Sequence, residues 1–554
     1  TYHAAAGLNA PLSKNAWYRV DVSRSGSNGF VDRMDSGSLN VTGSLLWKPT
    51  RRAALAFSAD YLNDDLAKYF GTPLVPRAAA LAPMDVISST TGETIDARTR
   101  FLNYNVSDGL AESRQILLRA DQTLTLAPGV TFTNVAYGFG ADRRWKNAEG
   151  YAYCTAAVDV CGAVGQVQRY YGYFLLDHDQ RLAGDRATLN VDRTVAGRAN
   201  RAVVGAEVST FDFTRTRGFR RRVPPAPGDT VDLLAPVPGL YGQEELRGSS
   251  PTAIGTWALF AEDSMAVSAR LRLSGAVRYD GLDLDRRNIN AEGVEEAGGF
   301  ALGFQWWSGR GGAVFTVQRD VVAYAQYSTA KDPVSANLFL VNAAQNFDLT
   351  AARQWEAGVK ADLPGNRAEL TAAYYAIDRD DVLDRFSLDN ATNIGGISSN
   401  GVELSAIARP GPQARIGANL AYTRSRFRPS ANFVRLAGNR PPNVPQLTTS
   451  LWGSYQGLAR LPLEVGGSIR SVGDRFADNA NAITMRGYVV TDLFVAWSRG
   501  RARTTLRVDN VANAAYASWS DVFYLGQTDP SFIYANQLML GAPRAVTLML
   551  QLGL

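Results

Sequence analysis

The chain has 554 residues, of which 46% are hydrophobic and 20% are charged, and its formal net charge at pH 7 is +5. This composition excludes a disordered chain, and the charge is too small for the length to point to a nucleic-acid partner. No stretch approaches about 18 uninterrupted apolar residues, so the sequence excludes a transmembrane helix.

Apolar and polar residues alternate with a period of two from the beginning of the chain to its end. Each such segment predicts a β-strand with one apolar face and one polar face. Most segments run for about ten residues or more, which is the length that carries a tilted strand across a bilayer. In chain order, clear examples lie at residues 39–48, 116–126, 271–280, 355–362, 415–423 and 546–554.

Connections between the predicted strands alternate between tight turns and long segments. The turn-like stretches at 183–185 and 196–198 would break this alternation, so we predict one long strand from 168 to 195, kinked near Gly184. Tight turns are predicted at residues 49–51, 127–129, 363–365 and 410–412. Long connections are predicted at 62–96, 143–166, 214–253, 331–352, 425–446, 473–486 and 511–543.

The fold class follows from these patterns. Helical stretches are scarce, which excludes an α/β fold and leaves either an antiparallel sandwich or a barrel. The strands are longer than sandwich strands usually are, and the charges on their polar faces suit a water-filled lumen. The sequence therefore predicts an all-β protein: a large antiparallel transmembrane β-barrel of about 22 strands, with short periplasmic turns and long extracellular loops.

The two cysteines, Cys154 and Cys161, lie close together in a stretch rich in Gly, Ala, Asp and Tyr. This spacing favours a small disulfide formed in an oxidising compartment. The alternative is a pair of free or metal-binding thiols. The C-x-x-C spacing and a nearby histidine that would support metal binding are both missing.

Several blocks of the sequence resemble the TonB-dependent siderophore receptors, which import chelated iron across the outer membrane. Each block is weak alone, but the ordered set is specific and spans essentially the whole chain. The matching blocks are Leu12–Tyr18, Tyr69–Pro76, Trp355–Lys360, Asn400–Leu404, Asn443–Gln446, Gly487–Leu493 and Gly541–Leu548. The resemblance implies that residues 1–554 form the barrel domain, and that the N-terminal plug domain of the family is absent from this chain.

The resemblance also implies a function. We expect a receptor in the outer membrane of a Gram-negative bacterium that binds a ferric siderophore, or a similar scarce ligand, and imports it with energy from TonB. Its expected partners are outer-membrane lipid and lipopolysaccharide, the TonB complex acting through a plug that is not in this chain, and possible separate plug or partner proteins. The alternative is a plug-less barrel that serves as a passive pore or as a surface scaffold for partner proteins.

An enzymatic function is disfavoured because the sequence has no nucleotide-binding loop, no G-x-S-x-G elbow and no H-E-x-x-H motif. We therefore predict no catalytic residue, no metal site and no cofactor beyond a transported ferric chelate. The chain has two histidines, His3 and His178, and neither stands in a motif. We interpret His178 as a polar residue facing the lumen.

Aromatic and basic residues in the predicted outer loops are the candidate ligand-binding residues. In receptors of the resembled family, such aromatic residues line the outer vestibule and hold the chelate, although strand-end aromatics also form interfacial girdles. The basic run could bind lipopolysaccharide phosphates or an anionic chelate through its guanidinium groups, or it could be an ordinary charged loop. The candidates are Tyr69, Phe70, Trp145, Tyr151, Arg217, Arg220 and Arg221, with Arg215 and Arg222 in the same run.

Overall fold

The computed structural model is dominated by a single antiparallel sheet of 21 strands. The model describes residues 1–156, 161–169, 172–221, 230–333, 347–385, 391–430, 434–520 and 535–553. We number the strands of this sheet β1 (Tyr2–Ser13), β2 (Ala16–Ser27), β3 (Ser36–Thr50), β4 (Ala53–Asp65), β5 (Leu110–Ala127), β6 (Val130–Ala148), β7 (Tyr173–Val195), β8 (Arg198–Arg220), β9 (Glu244–Ala266), β10 (Leu271–Ile289), β11 (Glu295–Gln318), β12 (Val321–Lys331), β13 (Ala351–Asp362), β14 (Ala368–Asp380), β15 (Ile397–Gly411), β16 (Ala414–Phe427), β17 (Leu447–Gln456), β18 (Leu463–Val472), β19 (Tyr488–Arg499), β20 (Ala502–Asp509) and β21 (Ala545–Leu552).

Each strand pairs with the next one along the chain, from β1 through to β21. This is the up-and-down order of a membrane barrel, and it confirms the predicted fold class. The 21 strands that this sheet has among the described residues agree with the predicted count of about 22. Because successive strands are antiparallel and the count is odd, β1 and β21 run in the same direction.

The two faces of the sheet have opposite chemistry. In β2–β4 the outward face carries exposed apolar residues such as Val20, Val22 and Phe57. The inward face of β3 and β4 carries a polar network in which Asn40 and Thr42 both donate hydrogen bonds to the Asp60 carboxylate. Apolar surface on this scale is unfavourable in water and favourable in lipid, so the outward face is the membrane-facing side.

Turns and long connections fall at opposite ends of the sheet. The tight turns occur where they were predicted, for example between β5 and β6 at residues 128–129. Each of the seven predicted long connections is also found between two strands, although some bounds shift: the first runs from 66 to 109. None of the helices in the described part of the chain is long and apolar enough to span a membrane.

The long connections contain short elements of their own. Their strands form small sheets beyond the ends of the large one. These strands are Thr72–Pro73, Val75–Pro76, Ile87–Ser89, Glu93–Thr94, Ala152–Tyr153, Gln166–Gln168, Thr230–Asp232, Leu383–Arg385, Ala391–Asn393, Arg475–Phe476, Ile483–Met485, Ala517–Ser520 and Gln537–Leu540. The 3₁₀ turns are Ala97–Thr99, Pro364–Asn366, Val434–Leu436 and Leu458–Arg460, of which the second and the fourth lie at the short-turn end.

The long strand expected around Gly184 is present as β7, although it begins at Tyr173 and not at 168. The pairings of β7 with β6 and with β8 both continue past Gly184 without a register shift, although we predicted a kink there. The Tyr137 ring from β6 lies directly over Gly184, where any Cβ would come within 2.4 Å of it. Glycine at this position therefore makes room for an aromatic ring on the inward face.

Strand length divides the sheet into two unequal regions. We call β6–β11 the tall wall, because these strands have 19 to 24 residues. We call β17–β21 the short wall, because its strands have 8 to 12 residues. Crossing a bilayer takes a strand of about 9–11 residues, so the tall wall extends well beyond the membrane and the short wall does not.

An outward band of packed aromatic rings marks the membrane boundary on the tall wall. Tyr279 packs against Trp257 at 5.4 Å and against Trp307 at 4.7 Å between ring centroids, and Trp307 is 69% exposed. Aromatic rings collect at the membrane–water interface in barrels of this kind. All three lie in the halves of β9–β11 nearer the short turns, so the other halves stand above the membrane.

Candidate binding site at the outer end of the barrel

Long connections from distant parts of the chain pack together into one layer. We call this layer the loop cap; it comprises the described parts of residues 66–109, 149–172, 473–487 and 510–544. Strand Thr72–Pro73 pairs with Gln537–Leu540, and Ile87–Ser89 pairs with Ile483–Met485. Its main apolar core includes Ile95, Met485 and Leu538, all buried. The first and last long connections are therefore joined to each other at the outer end of the barrel.

Gln537 is the polar residue that joins three of these connections. Its Nε2 donates to the carbonyl oxygens of Phe70 (2.8 Å) and Glu149 (2.6 Å), and its Oε1 accepts from the Tyr151 amide (2.6 Å). The side chain is buried, so all of these bonds are shielded from water. Buried hydrogen bonds are costly to lose, and Gln537 therefore holds the cap together.

Three of the predicted ligand-binding aromatics lie inside the cap. Tyr69 is 6% exposed, Phe70 8% and Tyr151 0%, while Trp145 is partly buried and meets the Phe70 ring edge-on at 5.4 Å. The Tyr69 hydroxyl hydrogen-bonds to Thr72, and the Tyr151 hydroxyl donates to the Ala148 carbonyl. Burial raises the pKa of Tyr151 well above its usual value, so this phenol is neutral. That these aromatics contact a ligand stays a prediction, and here they form packing core.

The predicted basic residues are spread along the upper end of β8. The Arg217 guanidinium lies over the Phe219 ring at 4.9 Å and that of Arg220 over the Tyr173 ring at 4.7 Å. Arg221 donates to the Gln243 side chain at 3.3 Å. Arg222 lies outside the described residues. A ligand role for this run stays a prediction.

Sequence reasoning missed a row of basic side chains on the inward face of the tall wall. Arg143 of β6 lies opposite His178 of β7, and His178 lies opposite Arg215 of β8. Arg215 lies opposite Ser250 of β9, whose hydroxyl accepts a hydrogen bond from Arg286 of β10 at 3.0 Å. We call Arg143, His178, Arg215 and Arg286 the basic row. The predicted lumen-facing position of His178 agrees with this arrangement.

An apolar cluster lies beside the basic row on the same face. Phe213, Ile254 and Leu282 project inward from β8, β9 and β10, and Leu349 from the connection after β12 packs on them. The His178 and Phe213 rings are 5.2 Å apart. The outer part of the lumen thus combines buried cationic and aromatic groups, a pairing suited to holding a compact organic ligand.

Two buried carboxylates organise the cap itself. Asp96 accepts hydrogen bonds from Arg98 and from the amides of Leu81 and Ala82, and these bonds hold the pKa of its carboxyl well below the usual value. Asp478 accepts from the Ala482 amide, but burial raises its pKa to about 6. Asp96 is therefore a fixed anion, while Asp478 can titrate near neutral pH.

The disulfide expected from the cysteine spacing is present in the structure. Cys154 and Cys161 are joined through their sulfurs, with 5.7 Å between the Cα atoms. Both residues are buried, and the Cys154 amide donates to the Gln166 carbonyl at 2.8 Å. In the described part of the chain no group of three or more His, Cys, Asp or Glu residues could hold a metal ion.

Lipid-facing apolar strands, a polar interior and a loop cap at one end define an integral outer-membrane β-barrel. The family model "TonB dependent receptor-like, beta-barrel" matches residues 37–513. The chain therefore belongs to the TonB-dependent receptor family. It is located in the outer membrane of a Gram-negative bacterium, and its family consists of receptors and not enzymes, as the sequence predicted.

Curated relatives share parts of this chain. The ferrioxamine B receptor of Salmonella typhimurium strain LT2 is 29% identical over 331 residues, which cover 55% of this chain and 42% of the relative. The ferrichrome outer membrane transporter/phage receptor of Escherichia coli K12 is 22% identical over 525 residues, covering 86% of this chain and 64% of the relative. The chain thus spans about two fifths of the ferrioxamine B receptor's length.

Solved structures share the fold over essentially the whole chain. The siderophore receptor PiuA from Acinetobacter baumannii superposes with a TM-score of 0.82 at 17% identity, covering 99% of this chain and 79% of that one. The closed form of the ferric-catecholate import receptor Fiu from E. coli K12 gives 0.79 at 15% identity, covering 99% and 81%. At these identities, the superpositions establish the barrel architecture alone.

Proposed function

We propose that this chain is the barrel of a receptor that binds a ferric siderophore at its outer mouth and imports it with energy supplied through TonB. Membership of the TonB-dependent receptor family carries this proposal. The matched relatives are named for ferrioxamine and ferrichrome, which supports a ferric chelate as the ligand class. The chain contributes the lipid-facing wall, the lumen and the loop cap that covers the ligand's entrance.

We also propose that residues 1–554 constitute one barrel domain that works together with a plug, as the resemblance implies. The large sheet begins at Tyr2 and its last strand ends at Leu552, which supports a single domain. TonB would act through the plug and not through the residues described here. The outward apolar face would contact lipid, and the arginines at the upper end of β8 are candidates for lipopolysaccharide phosphates.

A passive pore fits the structure less well. Such a pore needs an open mouth, whereas the loop cap joins the first and last long connections by paired strands and by Gln537. Planar-bilayer recording separates the two functions. We expect the native receptor to give a silent membrane, and a large steady conductance would favour the pore.

Uptake of radioactive iron by a deletion strain tests the importing function directly. Under iron limitation, the strain should lose uptake of one ferric chelate from a panel, and the complete gene should restore it. The complemented strain should take up none of that chelate when its TonB is also deleted. Unchanged uptake of every chelate in the panel would contradict the proposed function.

A further inference from the structure

The tight turns at the short-turn end of the barrel carry a series of arginines. These turns join each odd-numbered strand to the next even-numbered strand, from β1 and β2 to β19 and β20, so they follow one end of the whole sheet. Asp320 is the only acidic residue in them, and all of these turns lie in the described part of the chain. We call their arginines the arginine rim: Arg51, Arg52, Arg270, Arg319, Arg367, Arg460 and Arg501.

Outward aromatic residues place this end of the barrel at the second surface of the membrane. Trp47 of β3 and Trp497 of β19 are exposed on the outward face, close to the tight turns that follow these strands. Aromatic residues form such bands at both membrane–water interfaces of a barrel. Arg51 and Arg501 each follow one of these tryptophans by four residues. The arginine rim therefore lies just beyond the apolar layer, at the level of the lipid headgroups.

The arginines of the rim have no carboxylate partners. All of them are exposed, and within the described residues none of them forms an ion pair. Exposed arginines at the outer end are different: Arg247 pairs with Glu245 and Arg353 pairs with Asp380, each at 3.2 Å. Exposed ion pairs add little to stability, so the difference lies in the charge that each end presents to its surroundings. The arginine rim presents positive charge that the chain itself does not neutralise.

We infer that the arginine rim is a contact surface for anionic phospholipids of the periplasmic leaflet, and that it makes the barrel prefer them to zwitterionic lipids. Guanidinium groups bind phosphate oxygens through paired, charge-assisted hydrogen bonds, and basic clusters beside a membrane are attracted to anionic lipids. The rim continues the lipid-facing wall along the whole sheet, and lipid surrounds a barrel on every side, whereas an acidic protein would contact one sector. The inference concerns the barrel's contact with lipid and holds whichever ligand is imported.

The experiment measures, by native mass spectrometry, which lipid the intact receptor retains. Delipidated receptor is mixed with equal amounts of phosphatidylglycerol, which is anionic, and phosphatidylethanolamine, which is zwitterionic. The rim variant combines Arg51→Gln, Arg52→Gln, Arg319→Gln and Arg367→Gln, and a second variant carries Lys at the same positions. The matched control loses the same charge at the outer end through Arg181→Gln, Arg247→Gln, Arg287→Gln and Arg353→Gln. Unchanged thermal unfolding of each variant verifies the fold.

If the rim binds anionic lipid, the native receptor retains phosphatidylglycerol over phosphatidylethanolamine by about threefold or more, and added salt weakens this preference. The Gln variant brings the ratio close to one, while the Lys variant and the outer-end control keep most of the preference. Equal ratios in the Gln variant and the control overturn the inference. Equal retention of both lipids by the native receptor also overturns it and points to an acidic protein as the partner of the rim. If the Gln variant unfolds early, its substitutions are tested in pairs, and each pair should lose part of the preference.

Discussion

The tall wall and the short wall follow the same alternating sequence pattern, but they differ in what they build above the membrane. Strands of up to 24 residues in the tall wall continue past the aromatic band and carry their inward face into the outer mouth. Strands of 8 to 12 residues in the short wall end near the membrane, and their connections fold over the opening instead. The tall wall thus continues as one sheet at the outer end, whereas the short wall contributes two of the four connections of the loop cap.

The difference suggests separate stabilities for the two parts. Strands β8 and β9 pair continuously from Asn200 to Arg217, so their outer ends share the hydrogen-bonded ladder that crosses the membrane. The cap depends on two-residue and three-residue strand pairs, on small apolar clusters and on single polar bridges. Regions with few backbone ladders open locally at lower free energy than continuous sheets do. The cap is therefore the part that can open while the barrel stays folded.

The largest effect is expected from a cavity in the cap core. Leu538→Ala removes a fully buried side chain at the junction of the first and last connections, and such truncations cost about 2–5 kcal/mol. Hydrogen exchange should speed up in residues 72–76 and 483–485 and stay unchanged in β8 and β9. Leu506→Ala on the outward face of β20 serves as the control. Faster exchange throughout the sheet would show that cap and barrel unfold together.

A pH effect of somewhat smaller size is expected at Asp478. The folded pKa of Asp478 is about 6, which lies above the ordinary value of 3.8. The protonated carboxyl therefore stabilises the folded cap fully below pH 3.8, and this stabilisation is lost as the pH rises through 6. This pKa difference corresponds to about 3 kcal/mol in the free energy of cap opening. Cap opening measured by hydrogen exchange should be rarer at pH 4 than at pH 7. Asp478→Asn should flatten this profile, and a profile that stays equally steep would contradict the assignment.

A third effect is expected at Gln537, whose side chain joins three connections of the loop cap. Gln537→Ala leaves the Phe70 and Glu149 carbonyls and the Tyr151 amide without their side-chain partner, which we expect to cost the cap about 2 kcal/mol. Protease cleavage within residues 66–109 should become faster at unchanged barrel melting temperature. Gln243→Ala, which removes an exposed partner of Arg221, should leave cleavage unaffected. Equal cleavage rates in the two variants would show that Gln537 does not hold the cap.

Much of the fold could be predicted from the sequence, because alternation directly encodes which residues face lipid. The strand pattern, the tight turns and the positions of the long connections followed from it, and the ordered motifs pointed to the family. Alternation says little about how far a strand continues beyond the membrane, since the same pattern persists above the aromatic band. Apart from the long strand predicted at 168–195, which is β7, the height of the tall wall therefore came only from the structure.

The candidate site was harder to predict for two physical reasons. Phe70 and Gln537 are 467 positions apart, so no local pattern shows that the cap buries Tyr69, Phe70 and Tyr151. The basic row depends on cross-strand register, which places Arg143, His178 and Arg215 side by side through two long ladders. Sequence identified aromatic and basic residue types correctly as features of the outer end, but register and loop packing decide which of them face the lumen.

The smallest effect should come from ion pairs on the inward faces, where the two walls are alike. Arg278 binds Glu207 at 3.0 Å in the tall wall, and Arg503 binds Glu464 at 2.7 Å in the short wall. Partly hydrated pairs of this kind contribute about 1 kcal/mol or less. Double-mutant cycles on thermal unfolding should give similar small coupling energies at both sites, because the lumen below the cap is polar on both sides. A coupling several times larger at Arg278 and Glu207 would mean that the tall wall excludes water well below the basic row, and that its rigidity depends on charge pairing as well as on strand length.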